Sequence, residues 1–298
     1  MKICLSCSAE VLGGDWKCVK CGWSPENASD VLLFAPHIAG AGESYDPAWY
    51  QELASLESSN FWFVARNRLI QRLALRHLSL NSKYLEVGCG TGFVLRMLHK
   101  TFSNWSMFAT EAQPEGIDFA KTRVTREVKF FQMDACAIPF TDEFDAIGAF
   151  DVIEHIRDDV KAINQIYAAL KPNGYFILSV PQHMFLWSKY DETACHFRRY
   201  SNKELTEKLT AAGFSIVEST SFNTLLLPLM AASRYLLKNK GEASIDVLQE
   251  LRLNPVVNFI LSAVLSVEFQ LIRLGVHWPI GGSRLVVAKK IIVNTETE

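Results

Sequence analysis

The chain has no excess of charge of either sign: 30 Lys and Arg stand against 32 Asp and Glu, a formal net charge of −2. A protein that lives on phosphate contacts carries a basic surplus, so nucleic acid is disfavoured as the main partner. It lacks an apolar leader, because Met1-Lys2-Ile3-Cys4 opens directly on polar sequence, and the expected location is the cytoplasm. It has no internal repeat and no low-complexity tract. With 49% apolar and 21% charged residues it falls outside the disordered and fibrous classes. No run reaches the roughly 18 uninterrupted apolar residues of a spanning helix. What is present is a 298-residue chain, enough for one large domain or two. Its mean hydropathy of +0.09 is slightly apolar for a cytosolic protein.

Four of the seven cysteines crowd the amino terminus as Cys4, Cys7, Cys18 and Cys21. Two C-x2-C pairs joined by a short loop can set four thiolates at the corners of a tetrahedron about 2.3 Å from a Zn²⁺. Gly13-Gly14 turns the loop. So short a segment cannot bury a core, and metal binding would supply its folding free energy. With four thiolates and no open position, the zinc would be structural. A pair of disulfides is the competing reading, and it suits an oxidising compartment that the missing leader argues against.

Residues 1–26 are therefore read as a zinc ribbon, and 27–80 as a linker and helical lead-in. From residue 83 strand-like runs at 84–87, 106–110, 129–131, 146–150, 175–180 and 214–219 alternate with helical patterns at 93–100, 114–125, 158–170 and 202–212. A last strand falls at 284–292. This alternation predicts an α/β fold with a doubly wound, seven-stranded, mostly parallel sheet, its ligands at the carboxyl ends of the strands. The sheet occupies 81–222 and 281–293, with an apolar helical insertion at 223–280.

Leu85-Glu86-Val87-Gly88-Cys89-Gly90-Thr91-Gly92-Phe93 runs from a strand through three alternate glycines into a helix. Glycine there permits positive φ and lets a ligand lie on the backbone, while the helix start offers free N–H groups. A dinucleotide fingerprint needs G-x-G-x-x-G, and Phe93 stands in its third slot. Glu111 closes the second strand, where a carboxylate can accept both ribose hydroxyls. Asp134 follows the third, in reach of an adenine amino group. Together these describe a site for an adenine nucleoside without a diphosphate.

With Phe144-Asp145-Ala146-Ile147 leading to Asp151-Val152-Ile153-Glu154-His155, the pattern resembles the class I S-adenosylmethionine-dependent methyltransferases over about half of the chain. The resemblance implies that Gly88, Gly90 and Gly92 line the methionine and ribose part of the cofactor. It puts Glu86 near the amino group, Glu111 on the ribose, and Asp134 with Ala135 on the adenine. Cys89 and Phe150 complete that set. The helix opening Phe61-Trp62-Phe63 resembles the one these enzymes lay over the cofactor, with Arg66 reaching the methionine carboxylate.

Methyl transfer to oxygen or nitrogen needs alignment and a base. Asp151, Glu154 and His155 follow the fourth strand, and His155 is the candidate base. Some similar enzymes hold a divalent metal through E-x-x-E-H, where this chain reads D-x-x-E-H. His183 could join Asp151, Glu154 and His155 in such a site. The segment Cys195-His196-Phe197-Arg198-Arg199 lies on the same edge, and His196, Arg198 and Arg199 suit an anionic acceptor. Ser201 and Glu204 read as a capping box.

The insertion is more than half apolar, and between residues 255 and 280 only Glu268 and Arg273 are charged. Its second run carries a polar stripe at Asn258, Ser262, Ser266, Gln270 and Arg273. A cap on the core, an interfacial or lipid-facing acceptor pocket, and a dimer interface all fit. The leading expectation is an O-methyltransferase acting on a small or amphipathic acceptor, lipid-linked, quinol-like or saccharide. It would be cytoplasmic or held peripherally at a membrane through 223–280. An RNA base methyltransferase using its ribbon on RNA, and a non-catalytic cofactor-binding scaffold whose ribbon recruits a protein, are the rivals.

Overall fold

The computed structural model describes residues 1–39, 47–125, 127–238 and 252–291. The middle of the insertion (239–251), part of the expected linker (40–46) and the end of the expected core (292–293) lie outside these.

The first elements come from the stretch read as linker. Strands β1 (Glu26–Ala28) and β2 (Val31–Leu33) form a hairpin whose two loop residues, Ser29 and Asp30, are both left-handed, with φ of 50° and 62°. That turn matches the twist of paired strands. Apolar Val31-Leu32-Leu33 then pairs in parallel with β5 (Val128–Gln132). The Gln132 amide anchors the junction from both sides: it accepts from Ala35 N at 3.1 Å and donates to Ala35 O at 2.8 Å. The linker reading is corrected here, because these strands are too short to show a period of two.

Helix α1 spans Pro47–Leu56 and α2 Phe61–His77, where Asn60 caps α2 by accepting from Trp62 N. The alternating body follows: β3 (Lys83–Val87), α3 (Phe93–Thr101), β4 (Ser106–Glu111), α4 (Pro114–Arg123), β5, β6 (Phe144–Phe150), α5 (Asp159–Ala169), β7 (Leu170–Pro181), α6 (Lys189–Thr193), α7 (Asn202–Ala211) and β8 (Phe214–Phe222). Helices α8 (Leu227–Lys238) and α9 (Pro255–Arg273) precede β9 (Ser283–Lys290).

The sheet has nine strands in the order β1-β2-β5-β4-β3-β6-β7-β9-β8. The seven expected strands are all present, extended at one edge by the hairpin. Strands β2 to β7 run parallel, and β9 inserts antiparallel between β7 and β8. Strand order reverses between β3 and β6, so the carboxyl ends of those two strands open a crevice. Apolar layers fill both faces of the sheet, with Leu85, Ile147, Phe176 and Leu178 on one and Tyr84, Ala146, Ile177 and Leu285 on the other.

The cysteine segment packs on the hairpin edge. Trp16 is buried edge-on against Phe34 and Phe140, with ring centroids 4.7 and 5.3 Å away. Ile3 N donates to Pro139 O at 3.0 Å. Each C-x2-C pair turns back on itself: Ser8 N donates to Cys4 O, and Gly22 N to Cys18 O. Both donors are left-handed. Trp16 is the ribbon's main plug into the core of the body, so Trp16→Ala is expected to cost about 3–5 kcal/mol. Urea unfolding measures this, and a loss under 1 kcal/mol would show that the ribbon is not part of the body's cooperative unit.

Candidate active site

A cavity of about 910 Å³ opens at the β3/β6 reversal, between the sheet end and helices α1, α2, α8 and α9. Its floor is the loop after β3, where Gly88, Gly90 and Gly92 have φ of 66°, 51° and 77°. The three glycines do different work. A Cβ at Gly88 would meet Val152 Cγ2 at 2.6 Å, and one at Gly92 would meet the Ala120 backbone at 2.8 Å. At Gly90 it would meet nothing within 4 Å, so only there does the backbone lie open to a ligand. Gly92 is corrected accordingly: it lets α3 approach α4 closely and does not line the cavity.

Glu111 at the end of β4 holds this loop. Its carboxylate accepts from Gly90 N at 2.8 Å and from Ala112 N at 2.9 Å. Burial nonetheless raises its pKa, which these N–H donors only partly offset. Glu86 is buried with the Tyr84 hydroxyl 3.2 Å away, and burial pushes its pKa up to about 8. Asp134 turns the chain after β5 by accepting from Cys136 N at 2.8 Å. Asp134, Ala135, Cys89 and Phe150 all reach the cavity wall.

Arg66 enters from α2. It is ion-paired to Asp151, whose Oδ2 also accepts from Ser179 Oγ at 2.9 Å, and its guanidinium lies over Trp62, 4.8 Å from the ring centroid. The Arg66 side chain lines the cavity, and its Nε is buried with no hydrogen-bond partner among the described residues. The open Gly90 cradle, the Glu111 carboxylate and this orphaned donor fit a group with hydroxyls, a carboxylate and an apolar base.

The residues after β6 divide differently from expectation. Glu154, His155 and His196 place ligand atoms within 4.8 Å of one another. Asp151 is engaged by Arg66 and Ser179, and His183 stacks on Phe185 away from the cavity wall, with a ring distance of 5.2 Å. Asp151/Glu154/His155/His183 is therefore corrected to Glu154/His155/His196 as the group able to hold a cation or share a proton. Both Glu154 oxygens are buried and unpartnered among the described residues, and burial followed by the Asp151 charge raises its pKa well above the usual range. His155 meets His196 edge-on at 4.5 Å between ring centroids, and burial followed by His196 lowers its pKa to about 3.

Asp191, which has no assigned role in the sequence reading, organises this side. Fully buried, it takes Arg199 Nε at 2.7 Å and Nη2 at 3.0 Å, His196 Nδ1 at 2.8 Å, and Ser188 N at 2.9 Å. Burial alone would raise its pKa, but the His196 hydrogen bond and the Arg199 charge bring it down to about 2. Arg198 pairs with Asp159 at 2.7 Å and donates to Arg157 O, off the cavity wall. The two arginines are thus internal counter-ions, which corrects their reading as an anion site. Tyr190, from the aromatic-rich stretch 186–191 on the same edge, and Tyr50, which the sequence pattern does not mark, also line the cavity.

A methyltransferase-domain family model matches residues 59–219, more than half of the chain. The chain belongs to the methyltransferase-domain family. A Mycolicibacterium smegmatis protein named as a probable S-adenosylmethionine-dependent methyltransferase is 26% identical over 170 residues, which cover 56% of this chain and 64% of that protein. The chain thus spans less than two thirds of that relative's length. The rice chloroplast 2-methyl-6-phytyl-1,4-hydroquinone methyltransferase 1 is 29% identical over 124 residues, covering 41% of this chain and 37% of its own. Among solved structures, a chain from the complex of the Haloferax volcanii Trm112 methyltransferase activator with a methyltransferase superposes with a TM-score of 0.57 at 16% identity. It covers 84% of this chain and 97% of that one, a likeness of fold alone. The class I S-adenosylmethionine-dependent methyltransferase expected from the glycine loop and its acidic partners is thus the family found.

The glycines separate two effects. Gly92→Ala, with backbone in its way and a positive φ, should lower stability by well over 1 kcal/mol. Gly90→Ala should cost only about 1–2 kcal/mol through its φ, yet weaken S-adenosylmethionine binding at least tenfold by filling the cradle. Calorimetric affinity and melting temperature, measured together, check the pair. Undiminished affinity in Gly90→Ala would remove this loop as the binding floor.

Proposed function

We propose that this chain transfers the methyl group of S-adenosylmethionine to an oxygen of an amphipathic acceptor that enters beneath α8 and α9. One observation carries the reading: a single cavity touches Gly90 and Glu111 at one end and Leu226, Leu229, Met230 and Leu261 at the other. Nucleoside-type and lipid-type walls thus share one space, with His155 and His196 also on its lining. The rice relative, named for a phytyl hydroquinone, is consistent with an acceptor having a polar head and an apolar tail.

The cofactor supplies an electrophilic methyl group on a sulfonium. Glu111 receives the ribose hydroxyls, Asp134 and Ala135 the adenine, Glu86 the amino group and Arg66 the carboxylate. His155, neutral across the physiological range, and His196, oriented through Nδ1 by the Asp191 carboxylate, are positioned to take the acceptor's proton.

The ribbon is read as a structural zinc site. Its four Sγ atoms lie within 4.8 Å of one another, and the Cys4–Cys21 and Cys7–Cys18 pairs at 3.6 Å approach the about 3.8 Å edge of a tetrahedron around zinc. Its Lys2 lies over Trp16 and donates to Gly13 O, so that cation is spent on the ribbon itself and gives the RNA reading no support.

Extract labelled with methyl-tritiated cofactor and fractionated into lipid, saccharide, RNA and protein tests the acceptor. Label in the lipid fraction is expected, and label in RNA alone would overturn the reading. A second test uses Glu86. The folded chain keeps a proton that the unfolded chain loses above about pH 4.5, so this group makes the fold less stable as pH climbs toward 8. A bound ammonium favours the ionised form, so cofactor binding near pH 7 should release a proton, and less of it in Glu86→Gln. Calorimetry in buffers of differing ionisation enthalpy reads this. Release unchanged by the substitution would separate Glu86 from the amino group.

A further inference from the structure

Helix α9 wears its polarity inside out. From its polar stripe, Asn258 accepts from Phe61 N and donates to Ser59 O, both at 2.9 Å, and Ser266 accepts from Arg68 at 3.5 Å. These contacts turn the stripe toward α2. The opposite stripe, Val256, Ile260, Val267 and then Leu274 just past the helix end, is 66, 54, 56 and 82% exposed. By length and mean composition the helix could cross a membrane, although polar residues interrupt its apolar run, and only 17% of its most apolar stretch is buried.

Two further observations bear on what covers this face. Among the described residues no acid interrupts it: Glu268 is buried and accepts from Leu225 N at 2.9 Å. Beside the Leu274 end, Arg68, Arg72, Arg76 and Arg273 line a cleft of about 610 Å³ with Leu75 and Phe269. Glu218 answers Arg76, at 3.3 Å. Arg72 Nε is buried and unpartnered among the described residues. On α8, Leu229 is 58% exposed and also lines the active-site cavity.

We propose that this face docks on an anionic phospholipid bilayer. Helix α9, about 28 Å long, lies in the interfacial plane with its apolar stripe among the acyl-chain boundary, and the arginine cleft takes headgroup phosphates. A second copy of the chain would bring the same apolar face and the same four guanidinium groups, which fits the surface less well than a negatively charged membrane. The inference concerns where the protein sits and stands whether or not the acceptor is a lipid.

The full chain is floated with vesicles of equimolar phosphatidylcholine and phosphatidylglycerol and with pure phosphatidylcholine. Binding to the anionic vesicles, at least tenfold weaker to the neutral ones and weakened by salt, is expected. Arg72→Gln and Arg273→Gln should each lower it about fivefold. Ile260→Glu with Val267→Glu should abolish flotation while melting temperature and S-adenosylmethionine affinity stay unchanged. The Ile260→Ser/Val267→Ser pair distinguishes lost apolar contact from added repulsion and should also reduce binding. Absence of flotation, or a solution dimer dissolved by Ile260→Glu, would overturn the proposal; neither outcome touches the methyl-transfer reading.

Discussion

The ion pair between Arg66 and Asp151 is the contact on which the other features depend. It joins α2, which precedes the sheet, to the residue just beyond β6, which sits at the strand-order reversal. Asp151 adopts φ of 55°, a conformation a non-glycine residue holds only when its surroundings fix it. Here the Arg66 guanidinium, Ser179 Oγ and a backbone bond from Asp151 N to Ser179 O do so together. Because the arginine is nearly buried, breaking the pair would strand a charge in low dielectric. Helix α2 is thereby locked over the cavity, and α9, seated on α2 through Asn258 and Ser266, inherits that position.

The cavity's electrostatics follow from how carboxylates and cations are distributed around it. Glu86, Glu111 and Glu154 are all pushed toward their neutral forms, burial being the first cause in each case. Such groups favour a ligand that carries positive charge, because ionising against a cation recovers what burial costs. Asp191 is the contrast. Arg199 and His196 already surround it, so it stays ionised and serves as a fixed internal anion. One wall of the cavity therefore waits for a cation while the other has supplied its own, and the two histidines lie beside both.

What the sequence disclosed tracks how local each cause is. The seven core strands and the start of α2 at Phe61 were legible because apolar patterning is a property of neighbouring residues. Glu111 was legible as a strand-end acid at a defined interval from the glycines. The hairpin was not, since three-residue strands have no period to read; only the Ser29-Asp30 turn and the Gln132 amide, nearly a hundred residues away, make it. Arg198 and Arg199 look alike in sequence but meet Asp159 and Asp191, so neither is left for an anion. His183 was set beside His155 and His196 with the acceptor, until the chain's return brought His196 against His155. Gly92 shows the same limit: the motif marks a glycine, and only the Ala120 backbone behind it says that packing requires it.

The insertion carries the sharpest version of that limit. Periodicity assigns α9 a polar and an apolar face, and the ordinary expectation is that the apolar one turns inward. Which face turns inward depends on what lies opposite, and here that is the exposed side of α2, with Arg68, Arg72 and Arg76 one turn apart. A row of guanidinium groups is better met by hydroxyls, amides and backbone carbonyls than by valine and isoleucine, as Ser266 Oγ and the Arg273 carbonyl do. Asn258 and Ser266 of the polar stripe are spent on α2 and its cap, the flank bearing Leu265, Glu268 and Ile272 is buried in the protein, and the remaining apolar stripe has only the outside to face. The apolar excess in this chain's composition is therefore concentrated at a surface and at the mouth of the cavity beneath it, rather than hidden in an enlarged core.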